Sequence, residues 1–329
     1  MQLFSEINLN LKAGKQIDAI RLYVLTQYIR AVELKISEEY KQQIFRCPVH
    51  LAIGQEAISS GVISVLTLTD KVISSHRSHA QYLAKGGNIY KFFAELMGLE
   101  DGCCKGRGGS MHLFDHDVNF VASIPIVGSS ISIAMGIALA DKLSNKKDIT
   151  VAFIGDAALE TGAFYESLNI AALKKLPVLI VIEDNGMSTY TEKKERWASN
   201  RNLKEIVQGS GLIYRFSDSF DLIEINKIAR EVISKVRNGI PAVLHFETNR
   251  LMEHCGPKRE DEVKYRSSIK LKKAEKQEPL SYYARFLKSS GLISEIEINT
   301  LNMEINNFVN RIFNSALNKR IHDFVEFKS

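Results

Sequence analysis

The chain has few of the residues that mark several protein classes. Of its 329 residues, 4 are cysteine and 6 are proline, and 20 are glycine. Four cysteines without a CxxC pair do not make a disulfide scaffold and favour reduced thiols, as in a cytosolic protein. The glycine and proline content excludes collagen-like and proline-rich chains. The first residues carry charges and lack the apolar centre of a signal peptide, so we expect a cytoplasmic protein.

The chain also has little excess of one charge over the other and few long runs without charged residues. The chain has 43 basic and 38 acidic side chains, a balance of +5 that makes no case for nucleic acid. Residues 118–140 lack charge and are long enough to span a membrane, but they contain Asn119, Pro125, two glycines and four serines. We therefore expect a buried loop that runs into a buried helix, and no contact with a membrane.

Apolar periodicity predicts an α/β fold. Three continuous apolar runs, 149–154, 177–182 and 242–247, are typical of strands buried on both faces, with helices between them at 162–175 and around 221–237. Helical spacing recurs in several other segments, namely 18–40, 55–66, 89–98 and 280–318. We expect one domain over 1–329: a parallel sheet with helices on both faces and helical extensions at 1–45 and 280–329. The charged stretch 258–279 is expected to be a mobile surface loop.

Two polar side chains follow neighbouring strands of this predicted sheet. Asp156 comes after the strand ITVAFI, and Asn185 follows PVLIVIED in the equivalent place. Ligands of parallel sheets bind at the carboxyl ends of the strands, and carboxylate and amide oxygens suit Mg²⁺ bound to a diphosphate. The turn after Asn185 offers a backbone carbonyl, and the small residues Ala157 and Ala158 let phosphate oxygens approach the backbone. Alone, each polar residue would be a helix cap or a turn residue, but the matched pair favours a metal–diphosphate site.

The segment from Gly155 to Thr191 resembles the thiamine-diphosphate motif, which opens with Gly-Asp-Gly and closes with Asn-Asn about thirty residues later. More narrowly, the chain resembles the alpha subunit of the thiamine-dependent 2-oxo acid dehydrogenases, a family that includes the pyruvate, branched-chain and acetoin enzymes. The resemblance covers nearly the whole chain. Its motifs, in order, are LYVLTQYIRAVE, HLAIGQEAISSG, SHRSHAQYLAKGG, GRGGSMHLF, IVGSSISIAMGIALA and ETNRLMEHCGP.

The resemblance implies a thiamine-diphosphate-binding fold and assigns roles to particular residues. It implies that Asp156, Asn185 and the carbonyl of Met187 hold Mg²⁺. His76 and Arg77, where the family has Tyr-Arg, face the diphosphate together with Arg250.

The resemblance also implies roles beside the diphosphate. Val127 contacts the cofactor through its backbone, and His79 lines the substrate side. His254 serves substrate and proton transfers as a catalytic residue. The glycine-rich loop 106–112 is expected to be structural, with His112 a weaker site candidate.

A partner chain is implied as well. In the family the glutamate that activates the cofactor belongs to a beta subunit, and Glu56 in the GQEA motif is not its counterpart. We therefore expect an α₂β₂ heterotetramer with cofactor sites between subunits and with the apolar stretch 118–140 partly covered by them. A 2-oxo acid or acetoin-type substrate is implied, and its acyl unit would pass to a lipoyl-bearing acyltransferase.

Departures from the family pattern keep two alternatives open. Ala157 replaces a glycine, Asp184 replaces an asparagine, and Met252-Glu253 replaces His-Gly. The first alternative is a thiamine-dependent carboligase or transketolase-like subunit that acts on a ketose or modified sugar in a biosynthetic pathway. The second is a non-catalytic relative that kept the fold.

Overall fold

A six-stranded parallel sheet forms the centre of the protein. The structure is a computed structural model, and it describes residues 15–263 and 268–328. The sheet has the strand order β2-β1-β3-β4-β8-β7. Its strands are β1 (Lys71–Ser74), β2 (Phe120–Ser123), β3 (Thr150–Gly155), β4 (Val178–Asp184), β7 (Ile213–Ser217) and β8 (Ala242–Glu247). Two short strands, β5 (Met187–Ser188) and β6 (Thr191–Glu192), pair separately as an antiparallel ribbon.

Helices cover both faces of the sheet. In chain order they are α1 (Lys15–Glu39), α2 (Glu56–Ile63), α3 (His79–Lys85), α4 (Ile89–Met97), α5 (Ser129–Leu143), α6 (Gly162–Lys174), α7 (Lys193–Arg196), α8 (Leu203–Gly209), α9 (Leu222–Arg237), α10 (Glu260–Val263), α11 (Ser268–Lys276), α12 (Pro279–Ser289) and α13 (Glu295–Lys328). Within the described ranges, none of these helices combines the length and apolar character needed to cross a membrane.

Alternate side chains of the central strands supply two separate apolar clusters. On β3, Val151 and Phe153 join the cluster formed with α1, α2, α9 and the C-terminal helices. Ala152 and Ile154 face the opposite way and join the cluster formed with α5, α6 and α8. Because both faces are buried, β3 has no polar side to alternate with, and its sequence is a continuous apolar run. The larger cluster extends from Ile20 on α1 to residues of α13.

The strongest patterns in the sequence correspond to observed elements. The strands predicted at 149–154, 177–182 and 242–247 are β3, β4 and β8, and the helices predicted between them are α6 and α9. The α/β class is therefore confirmed. The prediction missed β1, β2 and β7, which have four or five residues each. Runs this short carry little periodicity, and β7 is half exposed, so its pattern is not that of a buried strand.

Two segments differ from the expectations. Residues 118–140 contain the short strand β2 and helix α5 rather than a wholly buried loop and helix, since Ile126 and Ile133 are 69% and 43% exposed. The stretch 258–279 is not a continuous loop, because its described part forms α10 and α11. Burial of Glu260 and Ala274 ties these helices to the core. The mobility of this stretch stays a prediction, as do the domain limits, and residues 1–14 of the N-terminal extension lie outside the described residues.

Close packing of α2 on α9 leads to a test of the fold. A Cβ added at Gly61 on α2 would lie 2.6 Å from Cγ2 of Ile225 on α9, whereas one added at Gly209 would meet no atom within 4 Å. Gly61→Ala should therefore lower the free energy of unfolding by about 1–3 kcal/mol, because overpacking outweighs the gain in helix propensity. Gly209→Ala should leave it unchanged or raise it by up to about 1 kcal/mol. Urea denaturation of both variants measures this, and equal effects would show that the contact does not constrain the packing.

Candidate functional site

The pairing of β3 with β4 brings three polar residues to one edge of the sheet. Gly155 is in register with Glu183, so the chain leaves both strands at the same level. Asp156 follows directly on β3, while Asp184 ends β4 and Asn185 comes next. The carboxylate and the carboxamide predicted at matched strand ends are therefore neighbours in the structure.

The two carboxylates at this edge are buried and are each balanced by a cation. Asp156 accepts a hydrogen bond from Arg196, and Asp184 accepts bonds from Lys193 and from His245 Nε2, the latter at 2.8 Å. Burial, and then the nearby charge of Asp184, raise the pKa of Asp156 to about 6. Burial also acts to raise the pKa of Asp184, but its bonds to His245 and Lys193 outweigh that and lower it. This edge therefore favours positive charge next to Asp156.

The turn after β4 is fixed by its own hydrogen bonds. The side-chain oxygen of Asn185 accepts from the backbone N–H of Met187 at 3.1 Å, and its amide nitrogen donates to Gln55 Oε1 at 2.9 Å. Gly186 has a φ of +72°, a conformation that glycine adopts without the cost of a Cβ. The turn thus holds Asn185 and Met187 beside Asp156 at the sheet edge.

Basic side chains form the opposite wall of the site. Arg77 is 4% exposed and donates to the carbonyl oxygens of Leu51 at 2.6 Å and His254 at 3.0 Å. Arg250 is 1% exposed, pairs with the buried Glu260 at 2.9 Å, and contacts His254 Nδ1 at 3.3 Å. Two guanidinium groups are thus positioned by the core and by backbone carbonyls.

Three histidine rings stand together near these arginines. The ring centroids of His50, His76 and His254 lie 4.8–5.4 Å from one another in edge-to-face contacts. Burial, and then the charge of Arg77, lower the pKa of His50 to about 2, of His76 to about 3 and of His254 to about 4. All three rings are therefore neutral near pH 7, and the positive charge of this wall comes from the arginines.

One cavity of about 260 Å³ lies between the acidic edge and the basic wall. Ten of the eleven residues predicted for the site line it: His76, Arg77, Val127, Asp156, Ala157, Ala158, Asn185, Met187, Arg250 and His254. A second cavity, of about 410 Å³, lies on the other side of the turn and shares Asn185 and Met187 with the first. Its lining includes neither Asp156 nor the two arginines.

The eleventh residue, His79, does not line the cavity, contrary to the prediction that it faces the substrate. Its side chain is fully buried, with Nδ1 at 3.2 Å from Glu33 and Nε2 at 2.6 Å from Ser110. His79 lies at the start of α3, whose inward face turns it into the core. His112 is exposed and bonds to Gly108, consistent with a structural loop.

Some residues of the cavity wall were not predicted from the sequence. His50 and Gln55 belong to the motif HLAIGQEAISSG, which was recognised, but no site role was assigned to them. Glu183 is 4% exposed, and its pKa is raised to about 8 by burial. The carboxyl of Glu183 accepts hydrogen bonds from Gln81 at 3.0 Å. The available signal was its place one residue before Asp184, at the end of an otherwise apolar strand.

The donor set suits a divalent cation together with a diphosphate. A carboxylate, a carboxamide oxygen and a backbone carbonyl on one side are hard oxygen ligands of the kind that Mg²⁺ takes. Two arginines on the other side suit phosphate oxygens. A Cβ at Gly155 would meet no atom within 4 Å, so open space adjoins the backbone at the point where β3 ends.

Comparisons with known proteins agree with this geometry. The model of the dehydrogenase E1 component family matches residues 25–324, which is most of the chain. The chain belongs to the dehydrogenase E1 component family. The match covers every residue of the cavity wall, the whole of the smaller apolar cluster and most of the larger one.

Individual relatives of this E1-family chain cover most of its length. The alpha-3 subunit of the chloroplastic pyruvate dehydrogenase E1 component from Arabidopsis thaliana is 32% identical over 79% of this chain, but over only 62% of its own length. The mitochondrial somatic-form alpha subunit from Homo sapiens is 30% identical over 88% of this chain and 73% of its own. The alpha subunit from Rickettsia felis is 33% identical over 83% of each chain.

The depressed histidine pKa values predict acid sensitivity of this E1-family chain. Between the ordinary pKa of 6.5 and the folded value of about 4, His254 binds a proton only when the chain is unfolded. The free energy of unfolding should therefore fall as the pH drops below 6.5. In His254→Asn this fall should be shallower, whereas in the control His116→Asn, at an exposed site, it should be unchanged. Urea denaturation at about pH 7.5, 6 and 5 measures the slope, and identical slopes in all three proteins would contradict the assignment.

Proposed function

We propose that this chain is the alpha subunit of a 2-oxo acid dehydrogenase that binds thiamine diphosphate and Mg²⁺ and acts with a beta subunit. One observation carries the proposal. Asp156 and Asn185 stand at adjacent strand ends and line a single cavity together with Arg77 and Arg250. Membership of the E1 family and the names of the relatives support it.

In this proposal Mg²⁺ is held by Asp156, the side-chain oxygen of Asn185 and the carbonyl oxygen of Met187. In the structure the charge of Asp156 is balanced by Arg196. The ion would take over this role, since a divalent cation compensates a buried carboxylate more strongly than a guanidinium does.

The diphosphate is assigned to the basic wall. Arg77 and Arg250 bring positive charge, and His76 can donate a further hydrogen bond where the family has tyrosine. Ala157 and Ala158 follow the open space at Gly155 and let phosphate oxygens approach the backbone. Val127 would contact the cofactor through its backbone at the other end of the cavity.

Bound thiamine diphosphate supplies an acidic ring carbon and then an electron sink for decarboxylation. The residues of this chain hold the cofactor and manage protons beside it. The ring of His254 is in its neutral, base form near pH 7, because burial and then the charges of Arg77 and Arg250 lower its pKa to about 4. We propose His254 as the proton-transferring residue of this chain. His79, buried away from the cavity, is not proposed to touch the substrate.

A beta subunit would cover the apolar surface beside the cavity. Ile126 and Val127, just before α5, are 69% and 48% exposed, and Ile133 and Leu143 on α5 are exposed as well. Apolar patches of this kind mark protein interfaces. The carboxyl groups that line the cavity, those of Asp156 and Glu183, are bonded to Arg196 and Gln81. The glutamate that activates the cofactor is therefore proposed to come from the partner, in an α₂β₂ assembly.

The substrate and the cellular setting follow from the family as further proposals. We propose a 2-oxo acid such as pyruvate, with transfer of the acyl unit to a lipoyl-bearing acyltransferase. Met252, Glu253 and His76 motivate the alternative of a ketose-acting enzyme. Met252 is 3% exposed in the core and Glu253 bonds to Lys258, so neither lines the cavity, whereas His76 does. The names of the relatives favour the 2-oxo acid. A cytoplasmic location is retained as a proposal, although the names of some relatives place them in chloroplasts or mitochondria.

Loss of the ligand carboxylate tests the proposed cofactor. Asp156→Asn removes the charge that the divalent ion needs, so thiamine diphosphate affinity in the presence of Mg²⁺ should fall by about 100-fold or more. Asp117→Asn, at an exposed site, is the matched control and should bind as the wild type does. Calorimetric titration of the alpha–beta pair with and without Mg²⁺ measures this. Failure of the wild-type pair to bind thiamine diphosphate would refute the proposal.

Substitution on the apolar surface tests the partner. Ile133→Lys places a charge in the proposed interface and should abolish formation of the heterotetramer. Ile296→Lys on α13 alters a residue that is 79% exposed away from this surface, and should leave assembly intact. Co-expression with the beta chain, followed by light scattering of the purified species, distinguishes the two. Normal assembly of Ile133→Lys would place the interface elsewhere.

A further inference from the structure

A chain of three polar side chains crosses the apolar core behind the cavity. Glu33, His79 and Ser110 are 0%, 0% and 1% exposed. Glu33 Oε2 lies 3.2 Å from His79 Nδ1, and His79 Nε2 lies 2.6 Å from the hydroxyl of Ser110. We call these three residues the Glu33–His79–Ser110 relay. Apolar side chains enclose it, and the ring of Phe92 packs edge-to-face on His79 at 5.0 Å.

The polar groups of the relay can be paired consistently as donors and acceptors. The other oxygen of Glu33 accepts from the backbone N–H of Ala52 at 3.1 Å. One assignment satisfies every group: His79 donates from Nδ1 to Glu33, and its Nε2 accepts from the hydroxyl of Ser110. Each polar group of the chain thereby has a partner of the right kind.

The relay joins three segments that are distant in sequence and that all line the cavity. Through Ala52, Glu33 on α1 holds the segment that carries His50 and Gln55. His79 begins α3 and lies two residues after Arg77. Arg77 itself donates to the carbonyl of Leu51, next to Ala52. The segment that carries His50 and Gln55 is therefore linked to the segment that carries Arg77 and His79 in two ways, through Glu33 and through Arg77.

The third segment is the glycine-rich loop, which carries Met111 into the cavity wall. Ser110 attaches this loop to His79. Its preceding turns wrap around the buried carboxylate of Glu95, which accepts from four backbone N–H groups at 2.7–2.9 Å: those of Cys104, Gly106, Gly108 and Gly109. Gly109 has a φ of +62°, and a Cβ there would lie 2.8 Å from Cys47. The loop is thus held by Glu95 on one side and by the relay on the other.

A buried polar network costs free energy that apolar side chains in the same place would not cost. Burying a carboxylate costs free energy that its partners only offset, and apolar residues of similar volume often give equal or greater stability. A polar network in which every group has a hydrogen-bond partner favours one specific arrangement of the segments that it connects. Here those segments carry the walls of the cavity.

We propose that His79, with Glu33 and Ser110, is a positioning residue that fixes three walls of the cofactor cavity relative to one another. The relay does not touch the substrate or the cofactor, and it acts through His50, Arg77 and Met111. This inference rests on the proposed function for the identity of the ligand, but not for the arrangement of the segments.

Variants of the relay differ in what they leave unsatisfied. Ser110→Ala removes the donor to Nε2 and frees the loop from His79. Glu33→Ala removes the acceptor for both His79 and Ala52. Glu33→Gln can be accommodated, because its amide oxygen accepts from Ala52, its NH₂ donates to Nδ1, and the other tautomer of His79 donates to Ser110. A positioning role therefore predicts that glutamine rescues what alanine loses.

Thiamine diphosphate affinity of the alpha–beta pair provides the first measurement. Ser110→Ala and Glu33→Ala should weaken binding by about tenfold or more, and Glu33→Gln by less than about threefold. The control is Tyr283→Phe, which removes a buried hydroxyl that donates to Ala19 at 3.0 Å, far from the cavity. It should lower the melting temperature without changing affinity. Equal affinity in Ser110→Ala and the wild type would overturn the proposal, and so would equal losses in Ser110→Ala and Tyr283→Phe.

Hydrogen–deuterium exchange gives a readout that needs no cofactor. Ser110→Ala should speed exchange of the amides at 50–55, 75–79 and 109–112 together, whereas Tyr283→Phe should leave these three segments unchanged. Faster exchange confined to 109–112 would reduce the relay to a local loop contact and overturn the inference. If the wild-type pair binds no thiamine diphosphate, the proposed function fails, and the exchange data alone then decide on the positioning role.

Discussion

The structure of the site depends on placing two carboxylates at neighbouring strand ends inside the protein. Parallel pairing of β3 with β4 brings Asp156 next to Asp184, and burial makes both charges costly unless cations are close. Arg196 and Lys193, from the segment after the turn, meet this need. Burial at the ends of the apolar strands therefore makes the two carboxylate charges unfavourable, and Arg196 and Lys193 of the following segment compensate them.

The same constraint explains why the cavity has two unlike walls. At the sheet edge the backbone turns after β4, and Asp156, Asn185 and Met187 line the cavity there. Opposite them, Arg77 and Arg250 are held by core contacts, since one donates to backbone carbonyls and the other pairs with Glu260. The proposed ligand, a metal ion joined to a diphosphate, would match these walls, because oxygen atoms suit the cation and arginines suit the phosphates.

Sequence patterns were sufficient for the central part of this arrangement. β3, β4 and β8 are long apolar runs, so their neighbours Asp156, Asn185 and Arg250 could be placed at strand ends before the fold was seen. β1 and β2 could not be found in this way, because four residues carry too little periodicity. His79 was misplaced for a related reason. The motif shows that His79 lies two residues after Arg77. Only the start of α3 at His79 determines that Arg77 enters the cavity while His79 enters the core.

One departure from the family pattern, Asp184, is compensated by neighbouring side chains. Asp184 stands where the family has asparagine and adds a negative charge beside Asp156. His245 and Lys193 both bond to Asp184, and it is not among the residues that line the cavity. Its remaining influence is electrostatic, since its charge helps to raise the pKa of Asp156. An extra carboxylate near a cation site strengthens the attraction for that cation once both groups are ionised. The change from asparagine to aspartate is therefore compatible with a metal site at this edge, and the bonds to His245 and Lys193 are what make it so.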